Sequence, residues 1–152
     1  MINIKKEKIL SLFLILYFVN SCGSQDFNAS VVGDWNKYLT FERDKFTSRT
    51  FFYGPLPDVY FVVTDHGNYT VDDGLMVRVV SNVTVTPLKD SIAADLNQEN
   101  ACGNAGWSVD QPIDVSNCVD STLFVVQKWS RSDRYEVRDN MLQIGSFVVA
   151  RR

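Results

Sequence analysis

The residues of this 152-residue chain with chemistry to offer are three cysteines, one histidine and a scatter of carboxylates. His66 stands beside Asp65, and an Asp–His pair is the part of a hydrolytic triad that activates a nucleophile, yet no serine lies in a nucleophile-elbow pattern. The residue types of Asp65-His66-Gly67-Asn68 are those of a tight turn, so His66 reads as a solvated turn side chain. Glu42, Asp44, Asp58, Asp72, Asp73, Asp133 and Glu136 nearly all fall in or beside expected turns, and such a set does not define the paired acids of a glycosidase. Asp72-Asp73-Gly74 with Asp65 has the composition of a calcium cup but lacks alternating oxygen ligands, and turn chemistry accounts for it. Two thiols and one imidazole do not make a four-ligand zinc site of recognisable spacing. Gly103 and Gly106 do not follow a strand and open a helix, so they do not form a phosphate loop. The chain is therefore expected to be no enzyme and to hold no metal or cofactor.

The cysteines carry more. Lys5, Lys6 and Lys8 precede an apolar run from Ile9 to Val19, about eleven residues, which is shorter than the roughly twenty that span a bilayer and is the length of a signal-peptide core. It ends in Val19-Asn20-Ser21-Cys22. This stretch resembles the lipobox of bacterial lipoproteins, an aliphatic residue and two mostly small ones before the cysteine to be acylated; Val19, Ser21 and Cys22 match, while Asn20 is bulkier and more polar than the pattern. The resemblance implies a signal peptide over 1–21, a lipid on Cys22, and a small polar tether over 22–30. Gly23, rather than Asp, after the cysteine resembles outer-membrane sorting more than inner-membrane retention. The competing reading is ordinary signal-peptidase cleavage that leaves Cys22 as a spare thiol. Parity favours acylation, because it leaves Cys102 and Cys118 as an even pair in an oxidising compartment. Several acyl chains at about 0.8 kcal/mol per buried CH₂ would make such an anchor effectively permanent. The sequons at Asn28, Asn68 and Asn82 would matter only in a eukaryotic secretory protein.

Removing that leader leaves about 131 residues, one ordinary domain over 31–152 behind its tether. The whole chain is at −3 and the leader contributes about +2, so the rest lies near −5. Nucleic acid is excluded on that balance, since phosphate binding needs clustered cations. Arg131, Arg134 and the terminal Arg151-Arg152 read as solvated surface.

The elements are mainly strands. Short runs rich in Val, Phe, Tyr and Thr, punctuated by Gly, Asp, Asn and Pro, predict strands at 35–41, 49–53, 59–64, 68–71, 75–86, 122–129, 135–138, 141–144 and 147–151. Turns are expected at Asp65–Asn68, Asp72–Gly74 and Asp139-Asn140, with a loop at Gly54–Asp58. One helix interrupts this texture: Thr86 as cap, Pro87 in the first turn, and Leu88, Ile92 and Leu96 on one face predict a helix from Pro87 to Glu99. Between Cys102 and Cys118 no element is legible, and a disulfide is expected to staple that loop with Trp107 packed over it.

Gly33-Asp34-Trp35 heads the first strand and resembles the Gly-X-Trp that opens the barrel of lipocalins and lipocalin-like bacterial domains. The run from Tyr135 through Gly145 to Phe147-Val-Val-Ala-Arg151 resembles their terminal hairpin. This implies Gly33, Trp35 and Arg151 as a barrel floor, with Arg151 or Arg152 stacked on the tryptophan. The expected fold is mainly β: an antiparallel up-and-down barrel of this kind, or a sandwich, of about eight strands with one inserted helix. The expected function is a lipid-anchored envelope protein binding a hydrophobic small molecule. The alternative is an inhibitor or structural partner of another envelope protein, since small disulfide-stapled Gly-X-Trp barrels also resemble bacterial metalloprotease inhibitors.

Overall fold

Alternation of apolar and polar residues dictates half-buried strands, and the strands are longer than the local runs suggest. The structure, a computed structural model, describes residues 31–54, 58–118, 124, 126 and 128–152. The expected leader 1–21, Cys22, the tether 22–30 and the centre of the Gly54–Asp58 loop lie outside the described residues. The strands are β1 (Gly33–Trp35), β2 (Leu39–Glu42), β3 (Lys45–Tyr53), β4 (Val59–Asp72), β5 (Leu75–Pro87), β6 (Ile113–Asp114), β7 (Ser130–Arg138), β8 (Met141–Ile144) and β9 (Phe147–Ala150); a helix, α1 (Asp90–Gln98), follows β5.

All neighbours are antiparallel, and the order β1-β2-β3-β4-β5-β7-β8-β9 is that of an up-and-down meander, with β6 paired beside β7 on the same edge of β5. The sheet curls until its two ends meet: Trp35 and Arg151 form an antiparallel bridge, and the Arg152 N–H donates to the Asp34 carbonyl at 3.0 Å. The result is a nearly closed barrel rather than a sandwich. Inward residues of successive strands fill it, among them Trp35, Phe41, Phe46, Met76, Val83, Val85 and Leu142, each essentially inaccessible to solvent. Such a barrel is packed like any protein interior.

Four local expectations are corrected. The turn expected at Asp65–Asn68 does not form, because β4 runs straight through it, and the only irregularity is a bulge against β5 between His66 and Gly67. Gly67 is there for close approach: a Cβ on it would lie 2.1 Å from the Val79 carbonyl oxygen and 2.8 Å from the Phe46 ring. The strand expected at 35–41 is split, since Asn36 takes φ 60° and turns the chain between β1 and β2. Of the strand expected at 122–129, Phe124, Val126, Lys128 and Trp129 are described and none is in a strand, whereas β7 begins five residues before the expected Tyr135. The helix begins at Asp90 rather than Pro87, because Pro87 is still paired with Phe61 at the end of β5.

Helix α1 buries Ile92, Ala93 and Leu96. Behind it Cys102 and Cys118 are joined, their Cα atoms 4.8 Å apart. Trp107 is held by its indole N–H donating to the Ala101 carbonyl at 3.2 Å, and its ring meets Phe124 edge-on. The Asn97 amide clamps the same residue twice, donating to the Trp107 carbonyl at 2.8 Å and accepting the Trp107 N–H at 2.9 Å. A bridge that closes about fifteen residues is expected to stabilise by about 3 kcal/mol through loop-closure entropy. Replacing Cys102 and Cys118 by serine should lower the free energy of unfolding by about that amount, and reduction of the native chain should reproduce the loss, as read by equilibrium unfolding in urea.

Candidate functional site

β1 and β2 are short, three and four residues, while β3 has nine. The β2 pairing stops at Leu39–Ser48, so β3 from Thr50 to Tyr53 has no strand beside it on that edge among the described residues. The wall of the barrel is incomplete there, above the turn that joins β1 to β2. A cavity of about 420 Å³ occupies the gap, lined by Tyr38 and Leu39, by β3 from Ser48 to Phe51 and at Tyr53, and by Ile144, Ser146 and Phe147 of the closing hairpin. Its remaining lining is Arg78, Arg131 and Asp133, from strands that face β3 across the interior. The volume is within the range of small-molecule sites, and an aromatic wall with a few polar groups is their usual chemistry.

The polar end is organised by Asp133. One of its oxygens accepts from Arg78 at 2.8 Å and the other from Arg131 at 3.1 Å. Arg78 and Asp133 are nearly buried, with side chains 12 % and 11 % exposed, while Arg131 is 67 % exposed. The Arg78 guanidinium also lies 5.3 Å from the centre of the Trp129 ring, and its Nε is buried with no hydrogen-bond partner among the described residues. The Trp129 indole N–H donates to Asp65, whose carboxyl is nevertheless pushed above the ordinary value by burial, against the lowering from that bond and from His66. Arg131 is thus not merely solvated surface: it lines the cavity and shares a carboxylate with a buried arginine.

Asp65 and His66 do not form a catalytic pair. They are consecutive in a strand and so project from opposite faces. Asp65 faces inward opposite Ser48 and Val83, whereas His66 sits opposite Thr47 and Asn82. Its ring nitrogens lie 3.5 Å from the Thr47 hydroxyl and 3.4 Å from the Thr84 hydroxyl. Burial and the nearby Arg49 push the imidazole down, against the opposing pull of Asp65 and Asp114. The solvated turn histidine is therefore corrected to a half-buried strand residue. Asp65 and Asp72 are seven residues apart along β4, about 23 Å at 3.3 Å per residue, so they cannot share a cation. Among the described residues no three metal-ligating side chains converge.

At the seam, Gly33 has φ 139°, a conformation that favours glycine, and the Arg151 guanidinium packs against it. Arg151 lies 4.5 Å from the centre of the Trp35 ring, and the Trp35 indole N–H donates to the Val31 carbonyl at 2.6 Å. Cys102 and Cys118 lie at the helix end and do not line the cavity. The sequence alone pointed neither to Arg78 nor to the role of Asp133. The signal available was period-two spacing: Met76, Arg78 and Val80 alternate as an inward row, as do Asp133, Tyr135 and Val137.

The fold and site together define a small disulfide-stapled antiparallel barrel with a side cavity. Compared with known families and curated proteins, the chain matches no family model and no curated sequence.

Two outcomes are expected. Asp65→Asn keeps an acceptor for Trp129 and removes a charge whose burial is unfavourable. A carboxyl raised in the folded state favours folding while protonated and loses that advantage as pH rises through its folded pKa. The variant should therefore melt higher than the native protein at pH 7, and the gain should vanish below pH 3.8, the ordinary carboxyl value, in thermal scans across pH. Arg151→Ala should cost about 0.5–2 kcal/mol by loss of the cation–π contact, with a change in Trp35 fluorescence as the ring becomes wet.

Proposed function

We propose that this protein is a lipid-anchored component of a bacterial cell envelope, on the outer rather than the inner membrane, and a non-catalytic binding module for a hydrophobic or amphipathic small molecule. The observation that carries the reading is the cavity of about 420 Å³ between β3 and the closing hairpin, aromatic on one side and charged on the other. The ligand does not lie along the barrel axis, because inward side chains fill that space. It enters at the side, where Tyr38, Phe51, Tyr53 and Phe147 offer apolar surface. Phe147 and Tyr53 are 48 % and 54 % exposed, an arrangement that only a bound partner would shield from water.

The anchor rests on the Val19-Asn20-Ser21-Cys22 sequence, and the Cys102–Cys118 bridge supports an oxidising compartment. No helix among the described residues is long and apolar enough to cross a membrane. The separation of Asp65 from His66 on opposite strand faces supports a binding role over catalysis. A second reading, a docking module for another envelope protein, draws on the open edge of β3 beside exposed Phe52 and Tyr53, since an unpaired strand edge is a template for an added strand.

Mass spectrometry of the membrane-extracted protein tests the main reading. Denaturing spectra should give a chain beginning at Cys22 with added acyl mass and two hydrogens missing from Cys102 and Cys118. Native spectra should give an additional small molecule that is lost on denaturation. A free Cys22 thiol on a soluble product would overturn the anchor, and a native mass equal to the denatured one after exposure to envelope lipid extract would overturn the binding role.

A further inference from the structure

The cavity's charges do not balance. Among its described lining residues the guanidiniums of Arg78 and Arg131 face one carboxylate, Asp133; Arg49 also lines it, but its charge acts on His66 on the other face of the sheet. Asp133 already divides its two oxygens between two guanidiniums, so neither arginine has its donors filled by it. A guanidinium has five N–H donors. Arg78 uses one on Asp133, and its Nε, buried inside the barrel, has no hydrogen-bond partner among the described residues. A buried donor left unmade is costly, and more so on a charged group. Two guanidiniums against one carboxylate leave the described lining one negative charge short.

We propose that the cavity takes an acidic group, a carboxylate or a phosphate, carried on a single apolar chain, with the acid between Arg78 and Arg131 and the chain along Tyr38, Phe51 and Phe147. The inference rests on the binding role proposed above and specifies its ligand. Arginine suits the task because its planar fork meets two oxygens of a carboxylate or phosphate at once. Trp129, under the Arg78 guanidinium, keeps that fork in place when the acid leaves. Asp133 holds both arginines apart from each other and sets the gap that the acid enters.

The test uses the full chain reconstituted in zwitterionic lipid discs and measures binding of octanoate, octyl phosphate and octan-1-ol calorimetrically. The acids should bind at least about tenfold more tightly than the alcohol, since each charge-assisted hydrogen bond that the alcohol cannot match is worth about a factor of ten or more. Arg131→Gln, at a largely exposed side chain, should weaken the acids by about tenfold and leave the alcohol unchanged. Arg78→Lys, which keeps the charge but removes the planar fork, should weaken them also, with its melting curve recorded to show that the barrel is folded. Repeating the titration in discs of anionic lipid separates the sources: displacement of octanoate there identifies a lipid headgroup as the acid, and undiminished binding identifies a free amphiphile. Equal affinity for octanoate and octanol, unmoved by Arg131→Gln, overturns the acidic group and leaves the binding role standing. Absence of binding by all three removes the binding role itself.

Discussion

The barrel is held shut at one seam, where the first and last strands meet through the Trp35–Arg151 bridge. A curled sheet that stops short of closing leaves two rows of unpaired N–H and C=O groups, so the chain ends must be fastened. Here the fastening combines three weak interactions on one ring. The Trp35 indole is fully buried, its N–H is satisfied by Val31, and its face carries the Arg151 guanidinium. Gly33 takes a φ of 139°, which side-chain-bearing residues rarely adopt, and lies against that guanidinium. Everything packed inside, from Phe41 to Leu142, depends on this closure to stay out of water.

Closure at a seam of three and four residues has a consequence for the rest of the wall. Because β1 and β2 are short, they shut only part of the gap between β3 and β9, and the remainder is the cavity. The core and the site are therefore two results of one mismatch in strand length. Polar side chains that would be prohibitive in the filled interior are tolerated at this opening, where Arg131 reaches solvent and Arg78 pairs with Asp133. A pair this deeply placed contributes little net stability, because desolvation offsets its attraction.

The legible parts of the fold were those set by neighbours in sequence. Period-two runs marked most strands, Asp73 and Gly74 at positive φ form the expected hairpin turn, and parity among the cysteines paired Cys102 with Cys118. The failures share a cause. Asp65-His66-Gly67-Asn68 has turn composition, but β3 and β5 on either side supply pairing along the whole of β4, and the glycine serves a bulge instead. Pro87 has the makings of a helix start, yet Phe61 claims it as the last residue of a strand. In each case a long-range partner overrode a local preference, as packing and hydrogen bonding between elements commonly do.

By itself, the sequence determined a β-rich domain with one helix, a stapled loop, a Gly-X-Trp head and an arginine near its end, because composition, periodicity and cysteine count are local or additive properties. Only the tertiary structure decided that Arg78, Arg131 and Asp133 meet, that Asp65 and His66 part, and that a cavity opens beside β3. Those facts depend on register and closure. Shifting one strand by a single residue would send Arg78 to the outside and Val77 within. A lone chain read from end to end does not specify which of its polar residues the last hydrogen-bonded pair will turn toward one another.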